Sequence, residues 1–242
     1  MFAMRKRRVA AIKSRDCPEH SAKNFAGKTR KAYDLHRVRP LSAEFYARDP
    51  RIVARELLGK VLVRQLGSAP MAGRIVEVEA YLGADDAAAH SAAGLTPRNR
   101  VLFGPPGRSY VYFIYGNYYC LNVSCLPDGI AGGILFRALE PLAGLDAMAR
   151  NRSLTGELTE RRKRLLTTGP GRLCEALDIT RARDNDLDMT SPASGIWIGG
   201  DGCQPQDIAV TRRIGITKAA NHPLRYVIAG NEFVSGPRTK PK

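Results

Sequence analysis

The chain has 242 residues, of which 44% are hydrophobic and 25% charged, a composition typical of a soluble globular protein with a sizeable core. Lys and Arg number 38 against 23 Asp and Glu, and the net charge of +15 favours a polyanionic partner, nucleic acid before an acidic membrane surface. No apolar run approaches the roughly 18 residues of a membrane-spanning helix, so no membrane span is expected.

The first 40 residues are unusually basic: they hold 12 Lys and Arg but only 3 Asp and Glu. They show neither helical nor strand periodicity, so residues 1–40 are predicted to be a disordered basic arm. Residues 235–242 form a short basic tail, which leaves 41–234 as the folded domain. The cluster Arg5–Arg8 precedes only a short apolar run, which is not a secretory signal but leaves an organellar presequence open.

The cysteines and histidines do not form a metal-ligand pattern. The five cysteines, an odd number at irregular spacing, favour free thiols in a reducing compartment. Cys17, His20 and His36 have no fourth candidate ligand nearby, so no structural zinc and no other metal is expected.

Capping residues and periodicity locate the elements of the domain. Asp49 and Pro50 are the N-cap and first-turn residues of a helix that ends at Gly59. Strands are predicted over 60–65, 73–81, 132–140, 196–198, 208–216 and 224–228, and helices over 142–150, 157–166 and the segment after 169–171.

The strand over 73–81 has an unusual face. Alternation places Val76, Val78 and Ala80 on one side. The other side carries Ile75, Glu77, Glu79 and Tyr81. A solvated face is the simpler interpretation of the two glutamates, but carboxylates about 7 Å apart by strand rise could also line a cleft.

Residues 108–125 hold the most informative pattern, two aromatic and β-branched runs around Gly116-Asn117. This pattern predicts a β-hairpin closed by a two-residue turn, with Tyr110, Tyr112 and Ile114 on one face and Tyr115 at the tip. An aromatic core is one interpretation. The other is a wedge with stacking platforms behind it, suited to a nucleobase.

Two further features carry positive charge. Arg137 interrupts the apolar strand over 132–140, so it must pair with a carboxylate or lie on an open face. Arg98 and Arg100 lie in a polar loop that is either ordinary exposed chain or a phosphate contact.

Together these segments resemble the alkyladenine (3-methyladenine) DNA glycosylase family over about four fifths of the chain, from about Leu41 to about Val234. The resemblance is carried by GRIVEVEAYLG at 73–83, His90-Ser91, TPRNR at 96–100, YVYFIYGNYYCLNV at 110–123, FRALEPL at 136–142 and GPGRLCEAL at 169–177. It implies an α+β fold: a single compact domain with a curved, mainly antiparallel sheet, surrounding helices and a protruding tyrosine-rich hairpin.

The resemblance also implies a monofunctional base-excision repair enzyme without metal or other cofactor. Such an enzyme flips an alkylated or deaminated purine from duplex DNA and hydrolyses its N-glycosidic bond with an activated water. It would be a monomer in the cytoplasm, near the nucleoid in a prokaryote, and in the nucleus or an organelle in a eukaryote.

The resemblance also implies a role for each residue of this chain at a position that matches the family. Glu79 would be the general base and Arg137 would hold that carboxylate. Tyr81 and His90 would form one wall of the base pocket, with Tyr112 opposite. Tyr115 would fill the gap left by the flipped nucleotide. Asn122 and Leu135 would complete the pocket, and Arg98, Arg100, Asn117 and Tyr118 would contact the DNA backbone.

Asn117 departs from the family, which often has methionine after the turn glycine, so the apolar wedge beside Tyr115 is smaller. Two rival functions stay open at this point. One is a non-catalytic basic nucleic-acid-binding module, and the other is a carbohydrate hydrolase that uses the two glutamates. Carboxylates that face a stacking pocket argue against the first, and the net charge of +15 argues against the second.

Overall fold

The computed structural model describes residues 33–67 and 69–236. Its strands are β1 Arg39–Pro40, β2 Val61–Arg64, β3 Met71–Tyr81, β4 Ser109–Ile114, β5 Tyr118–Ser124, β6 Gly133–Ala143, β7 Ile196–Gly200, β8 Ile208–Thr211 and β9 Arg225–Ile228. Its helices are α1 Ala43–Tyr46, α2 Pro50–Leu57, α3 Leu145–Asn151, α4 Glu160–Arg164, α5 Pro170–Ala176 and α6 Arg181–Asp184.

The strands form one antiparallel sheet in the order β1-β7-β2-β3-β6-β5-β4. Strand β9 pairs with β3 over Glu77–Glu79, beyond the stretch that pairs with β2, and β8 pairs with β9. The sheet curls into a half-barrel with short helices around it, so the predicted α+β class and single domain are confirmed.

The first predicted helix is confirmed as α2. The Asp49 side chain accepts a hydrogen bond from Arg51 N, and Pro50 occupies the first turn. Val53, Ala54 and Leu57 are buried, so this helix covers the sheet with one apolar face.

The two faces of the sheet have different roles. One face packs against the helices in the main core, with Val78 and Ala80 of β3, Leu121 of β5, and Ile134 and Phe136 of β6 fully buried. The opposite face carries most of the predicted site residues. Because successive side chains on a strand point to opposite faces, the residues that build the main core and the predicted site residues lie on different faces of the sheet.

The alternation predicted for β3 is wrong at its centre. Ile75 pairs with Leu139 and Glu77 pairs with Ala138, so Val76 is an extra residue in a β-bulge. The bulge turns Ile75 into the main core with Val78, while Val76 enters a small separate cluster. Both glutamates are fully buried, so the interpretation of a solvated face is also wrong.

The predicted hairpin is present as β4 and β5, which pair from Ser109↔Val123 to Ile114↔Tyr118. The turn lies one residue earlier than predicted: Tyr115 and Gly116 have φ values of 54° and 74°, and Asn117 N donates to Ile114 O at 3.4 Å. A left-handed conformation is costly for tyrosine, and it places a side chain that is 79% exposed at the tip.

The N-terminal boundary of the domain precedes residue 41. Arg39 pairs with Gly200 of β7, and the Tyr33 hydroxyl donates to Asp201 Oδ2 at 2.7 Å. Ser235 is likewise buried and bonded to Glu77, so residues 33–40 and 235 belong with the domain. The predicted arm and tail otherwise fall on residues 1–32 and 237–242, outside the described residues.

Cys120, Cys125 and Cys174 are free and buried, whereas Cys203 is disulfide-bonded, contrary to the expectation of free thiols. No helix in 33–67 and 69–236 is long and apolar enough to cross a membrane. The same residues contain no cluster of three or more potential metal ligands, while Cys17 and His20 lie outside them.

Candidate active site

Cross-strand pairing places predicted site residues from four strands in one row. Glu79 of β3 lies opposite Leu135 of β6, which lies opposite Asn122 of β5, which in turn lies opposite Tyr110 of β4. Residues directly opposite each other share a face of the sheet, so these four side chains lie together on the face away from the helices.

A second row lies two residues further along each strand and contains Arg137, Cys120 and Tyr112. With the exception of Glu79, the residues of both rows line a cavity of about 630 Å³. Further lining residues come from loops, the hairpin and the start of α5: Ser91, Tyr115, Tyr118, Gly171, Ile214 and Gly236.

The Glu79 carboxylate lies just behind the cavity wall, fully buried, and its three partners all line the cavity. Oε1 accepts from Ile214 N at 2.8 Å and pairs with Arg137 Nη1 at 3.1 Å, and Oε2 accepts from the Tyr81 hydroxyl at 3.0 Å. Three donors favour the carboxylate form. Burial nevertheless raises the pKa of Glu79, with Arg137 opposing that rise.

Arg137 has the carboxylate partners that its apolar strand required. Its Nε donates to Glu77 Oε1 at 2.8 Å, while Nη1 reaches Glu79. A second bulge in the β3–β6 pairing leaves Arg137 without an opposite residue on β3. The guanidinium thus bridges the two glutamates.

Glu77 is held differently from Glu79. It accepts from Arg137 Nε, from Arg225 Nε at 2.7 Å, and from the backbone N and hydroxyl of Ser235 at 2.6 and 2.8 Å. Three of these four bonds end on Oε1 and one, from Ser235 N, ends on Oε2. Glu77 therefore joins β3, β6, β9 and the C-terminal segment, and it is bound by two arginines where Glu79 is paired with one.

Tyr81 continues the Glu79 face to the end of β3. Its ring lies under the Arg213 guanidinium, whose central carbon is 4.6 Å from the ring centroid. Burial, followed by the adjacent Glu79 charge, raises the pKa of Tyr81, so its hydroxyl stays a donor to Glu79.

His90, Tyr110 and Tyr112 form an aromatic cluster in the cavity wall. The rings of His90 and Tyr112 meet at 4.4 Å between centroids and 71° between planes, which leaves no room for a third ring between them. The predicted arrangement of His90 and Tyr112 as opposite walls around a base therefore requires one of the two rings to move.

The protonation of His90 follows from its neighbours. His90 Nδ1 lies 2.9 Å from the Tyr110 hydroxyl. Burial, and then the nearby Arg98 charge, lowers the pKa of His90, so the ring is neutral at physiological pH. When Tyr110 donates this bond, Nε2 carries the proton and can donate to a ligand.

Asn122 and Leu135 lie at the centre of the cavity floor, 6% and 3% exposed. Asn122 Nδ2 donates to Tyr110 O at 3.1 Å, which fixes the orientation of the amide. Asn122 thus adds one fixed polar group to an apolar floor.

The residues predicted to contact DNA backbone occupy two regions. Arg98 and Arg100 are exposed in the loop before β4, with the Arg98 guanidinium 6.0 Å from the Tyr112 ring centroid. Asn117 is exposed at the hairpin tip. Tyr118 is half-buried and lines the cavity, packed so closely on Gly171 that an added Cβ there would lie 2.8 Å from its ring.

Sequence reasoning missed three residues of the site. Ile214 supplies the backbone N–H on Glu79, and Arg213 covers Tyr81. Asn99 is buried and donates to His90 O and Gly94 O, each at 2.9 Å, which holds the loop that carries His90. Arg213 and Ile214 lie in a loop after β8, which ends at Thr211 and is therefore shorter than the strand predicted over 208–216. Contacts made by loops leave no periodic pattern in the sequence.

A cavity lined by aromatic rings beside a buried carboxylate, in a protein of net charge +15, is typical of an enzyme that acts on the bases of a nucleic acid. A family model described as "Methylpurine-DNA glycosylase (MPG)" matches residues 44–232. The chain belongs to the methylpurine-DNA glycosylase family and is a DNA glycosylase.

Comparison with individual related proteins supports the same family. A protein of Koribacter versatilis is 64% identical over 204 residues, covering 84% of this chain and 97% of the relative. Proteins of Burkholderia lata and Methanoculleus marisnigri are each 46% identical over 201 residues, covering 83% and 81% of this chain and 93% and 98% of the relatives. All three are named "Putative 3-methyladenine DNA glycosylase".

Proposed function

We propose that this protein removes alkylated purines, 3-methyladenine among them, from duplex DNA by flipping the damaged nucleotide into the cavity and hydrolysing its N-glycosidic bond. The observation that carries the proposal is the Glu79 carboxylate, fully buried among three donors that line the aromatic cavity. Relatives named for 3-methyladenine support the choice of lesion.

The chemistry assigned to Glu79 follows from its contacts. A carboxylate has about four acceptor positions, and the three donors leave one, on Oε2, for a water. Glu79 takes a proton from this water as it attacks the anomeric carbon. The negative charge also stabilises the oxocarbenium character that develops as the base leaves.

The same cavity supports a monofunctional reaction. A lyase step requires an amine that forms a Schiff base, and the described residues that line the cavity include no lysine. The active unit is a monomer that works where the cell keeps its DNA.

The test is release of base from methylated duplex DNA under single-turnover conditions. We expect free 3-methyladenine, and strand breaks only after alkali treatment of the abasic product. Binding without base release would leave a non-catalytic module as the function, and strand breaks before alkali would overturn the monofunctional assignment. A panel of purine lesions in defined duplexes then ranks 7-methylguanine, hypoxanthine and ethenoadenine.

Tyr115→Ala is expected to impair extrusion rather than hydrolysis. The exposed tip side chain fills the duplex gap and offsets a few kcal/mol of lost stacking. A mismatch opposite the lesion lowers that cost, so single-turnover rates should fall more on a paired lesion than on a mismatched one. Equal losses on both substrates would show that Tyr115 does not plug the duplex.

Deleting residues 1–32 is expected to weaken DNA binding without changing the chemistry. This segment holds 10 Lys and Arg against 2 Asp and Glu, a net charge of +8, and it ends before Tyr33. Binding titrations at several salt concentrations should give a shallower slope, because fewer counterions are released. A large fall in the saturated single-turnover rate constant would instead place the arm in the catalytic machinery.

A further inference from the structure

Arg213 and Asp86 form an ion pair behind the Tyr81 wall, with both side chains completely buried. Arg213 Nη1 and Nη2 donate to Asp86 Oδ2 and Oδ1 at 2.5 and 2.8 Å. Nη1 also donates to Ala80 O at 3.1 Å. Such a pair seldom stabilises a fold more than apolar side chains of similar size would, so its presence behind a reaction centre calls for another reason.

The pair connects three segments that share the reaction centre. Through Ala80 O and the Tyr81 ring it holds the end of β3. Asp86 also accepts from Leu82 N at 3.2 Å and Ala88 N at 3.1 Å, which fixes the turn that leads to His90.

The third segment is the loop that carries Arg213 itself. The next residue is Ile214, whose backbone N–H donates to Glu79 at 2.8 Å. Movement of the Arg213 backbone therefore displaces a hydrogen bond on the reacting carboxylate. The Arg213 Nε is buried and has no hydrogen-bond partner among the described residues, which leaves the Tyr81 ring as the group that its guanidinium packs against.

We propose that Arg213 and Asp86 are positioning residues for base excision. They keep the Ile214 N–H within hydrogen-bond distance of Glu79. They also keep the Tyr81 ring in the orientation in which its hydroxyl donates to the same carboxylate. Neither residue touches the flipped base. This inference rests on the proposed role of Glu79 and extends it to two of the three donors that orient that carboxylate.

Several charged or titratable groups surround the Glu79 carboxylate and contribute to its protonation. They are Glu77 and Tyr81 on its own strand, Arg137 on β6, Cys120 on β5 and Arg213 on the loop after β8. Removing Arg213 together with Asp86 takes away one positive and one negative charge and loosens the Ile214 bond. Loss of that hydrogen bond disfavours the carboxylate, so the acidic limb of the rate profile should move to higher pH.

The test uses a double variant, Arg213→Met with Asp86→Asn, because it leaves no unpaired charge in the protein interior. The asparagine side chain retains one acceptor oxygen for the turn. With lesion-bearing duplex at saturating enzyme, we expect base release to slow by roughly 10–100-fold, the effect of a misplacement of about 1 Å at a reaction centre. The acidic limb should move to higher pH, while affinity for lesion-bearing DNA changes little.

The matched control is Arg212→Met, which removes the same charge from the exposed neighbouring residue and should leave the saturated rate and the acidic limb unchanged. A folded double variant with the wild-type rate and limb would overturn the inference. Failure of the double variant to fold would also overturn it, by making the pair a folding element. If Glu79→Gln kept the wild-type rate in the same assay, the proposed role of Glu79, on which this inference rests, would fall independently of the result for the double variant.

Discussion

Replacing Glu79 by Gln is expected to slow release of the damaged base by roughly 10²–10⁴-fold, the range for loss of a positioned general base. Glutamine keeps the volume and one acceptor oxygen for Ile214 N, but it cannot take a proton from water. Affinity for lesion-bearing DNA should hold or rise slightly, because one negative charge near a polyanion is removed. Single-turnover release and equilibrium binding measure the two effects separately.

The pH dependence provides an independent check on the same residue. Burial raises the pKa of Glu79 above its ordinary value, and the base is active only when deprotonated. Base release by the wild-type enzyme should therefore fall as pH drops through that raised pKa. The Glu79→Gln variant should lose this limb.

Glu56→Gln is a suitable control, since Glu56 is an exposed residue of α2 that pairs with Arg48 on the surface. It should leave rate and pH profile unchanged. If Glu79→Gln kept the wild-type rate, the carboxylate would not be the general base, and the resemblance would have misplaced the catalytic residue.

The sequence alone predicted the parts of the site that lie on regular strands. An arginine in an apolar strand required a carboxylate partner, and Arg137 indeed bridges Glu77 and Glu79. Alternation correctly placed Tyr110, Tyr112 and Ile114 on one face of the hairpin, and all three line the cavity. These predictions succeeded because the alternation of a strand can be recognised from neighbouring residues, and because a buried arginine requires a carboxylate partner wherever in the chain that partner lies.

The predictions that failed concern irregular backbone or contacts between residues that are distant in the sequence. The β-bulge at Val76 interrupts the alternation of side chains along β3, and no residue in that segment predicts a bulge. Asp86 accepts hydrogen bonds from Leu82 N and Ala88 N, but its main partner, Arg213, lies 127 residues away. A loop that closes over a strand end leaves no periodic pattern in the sequence.

The predicted and actual environments of the two glutamates differ in the same way. Sequence spacing made them equivalent neighbours on one face. The structure gives Glu79 three donors and a place at the cavity wall. It gives Glu77 four bonds and two arginines. We therefore expect one glutamate to control chemistry and the other stability.

Glu77→Gln should reduce the free energy of unfolding by about 3–5 kcal/mol, the usual cost of removing one partner of a buried ion pair. The substitution leaves the buried Arg225 guanidinium without its carboxylate, and it weakens the bonds that hold Ser235. Urea unfolding curves compared with wild type measure the loss. The fraction that remains folded should retain far more activity than Glu79→Gln.

Glu79→Gln should behave in the opposite way in the same unfolding experiment. The pKa of Glu79 is raised in the folded protein, so at neutral pH its charge disfavours the folded state, and neutralising it should leave stability unchanged or increase it. A Glu77→Gln variant as stable as wild type, or a Glu79→Gln variant that unfolds more easily than Glu77→Gln, would contradict this division. The contrast is expected because Glu77 neutralises two buried arginines and holds Ser235, whereas Glu79 shares Arg137 with Glu77, so that arginine keeps a carboxylate partner when Glu79 is neutralised.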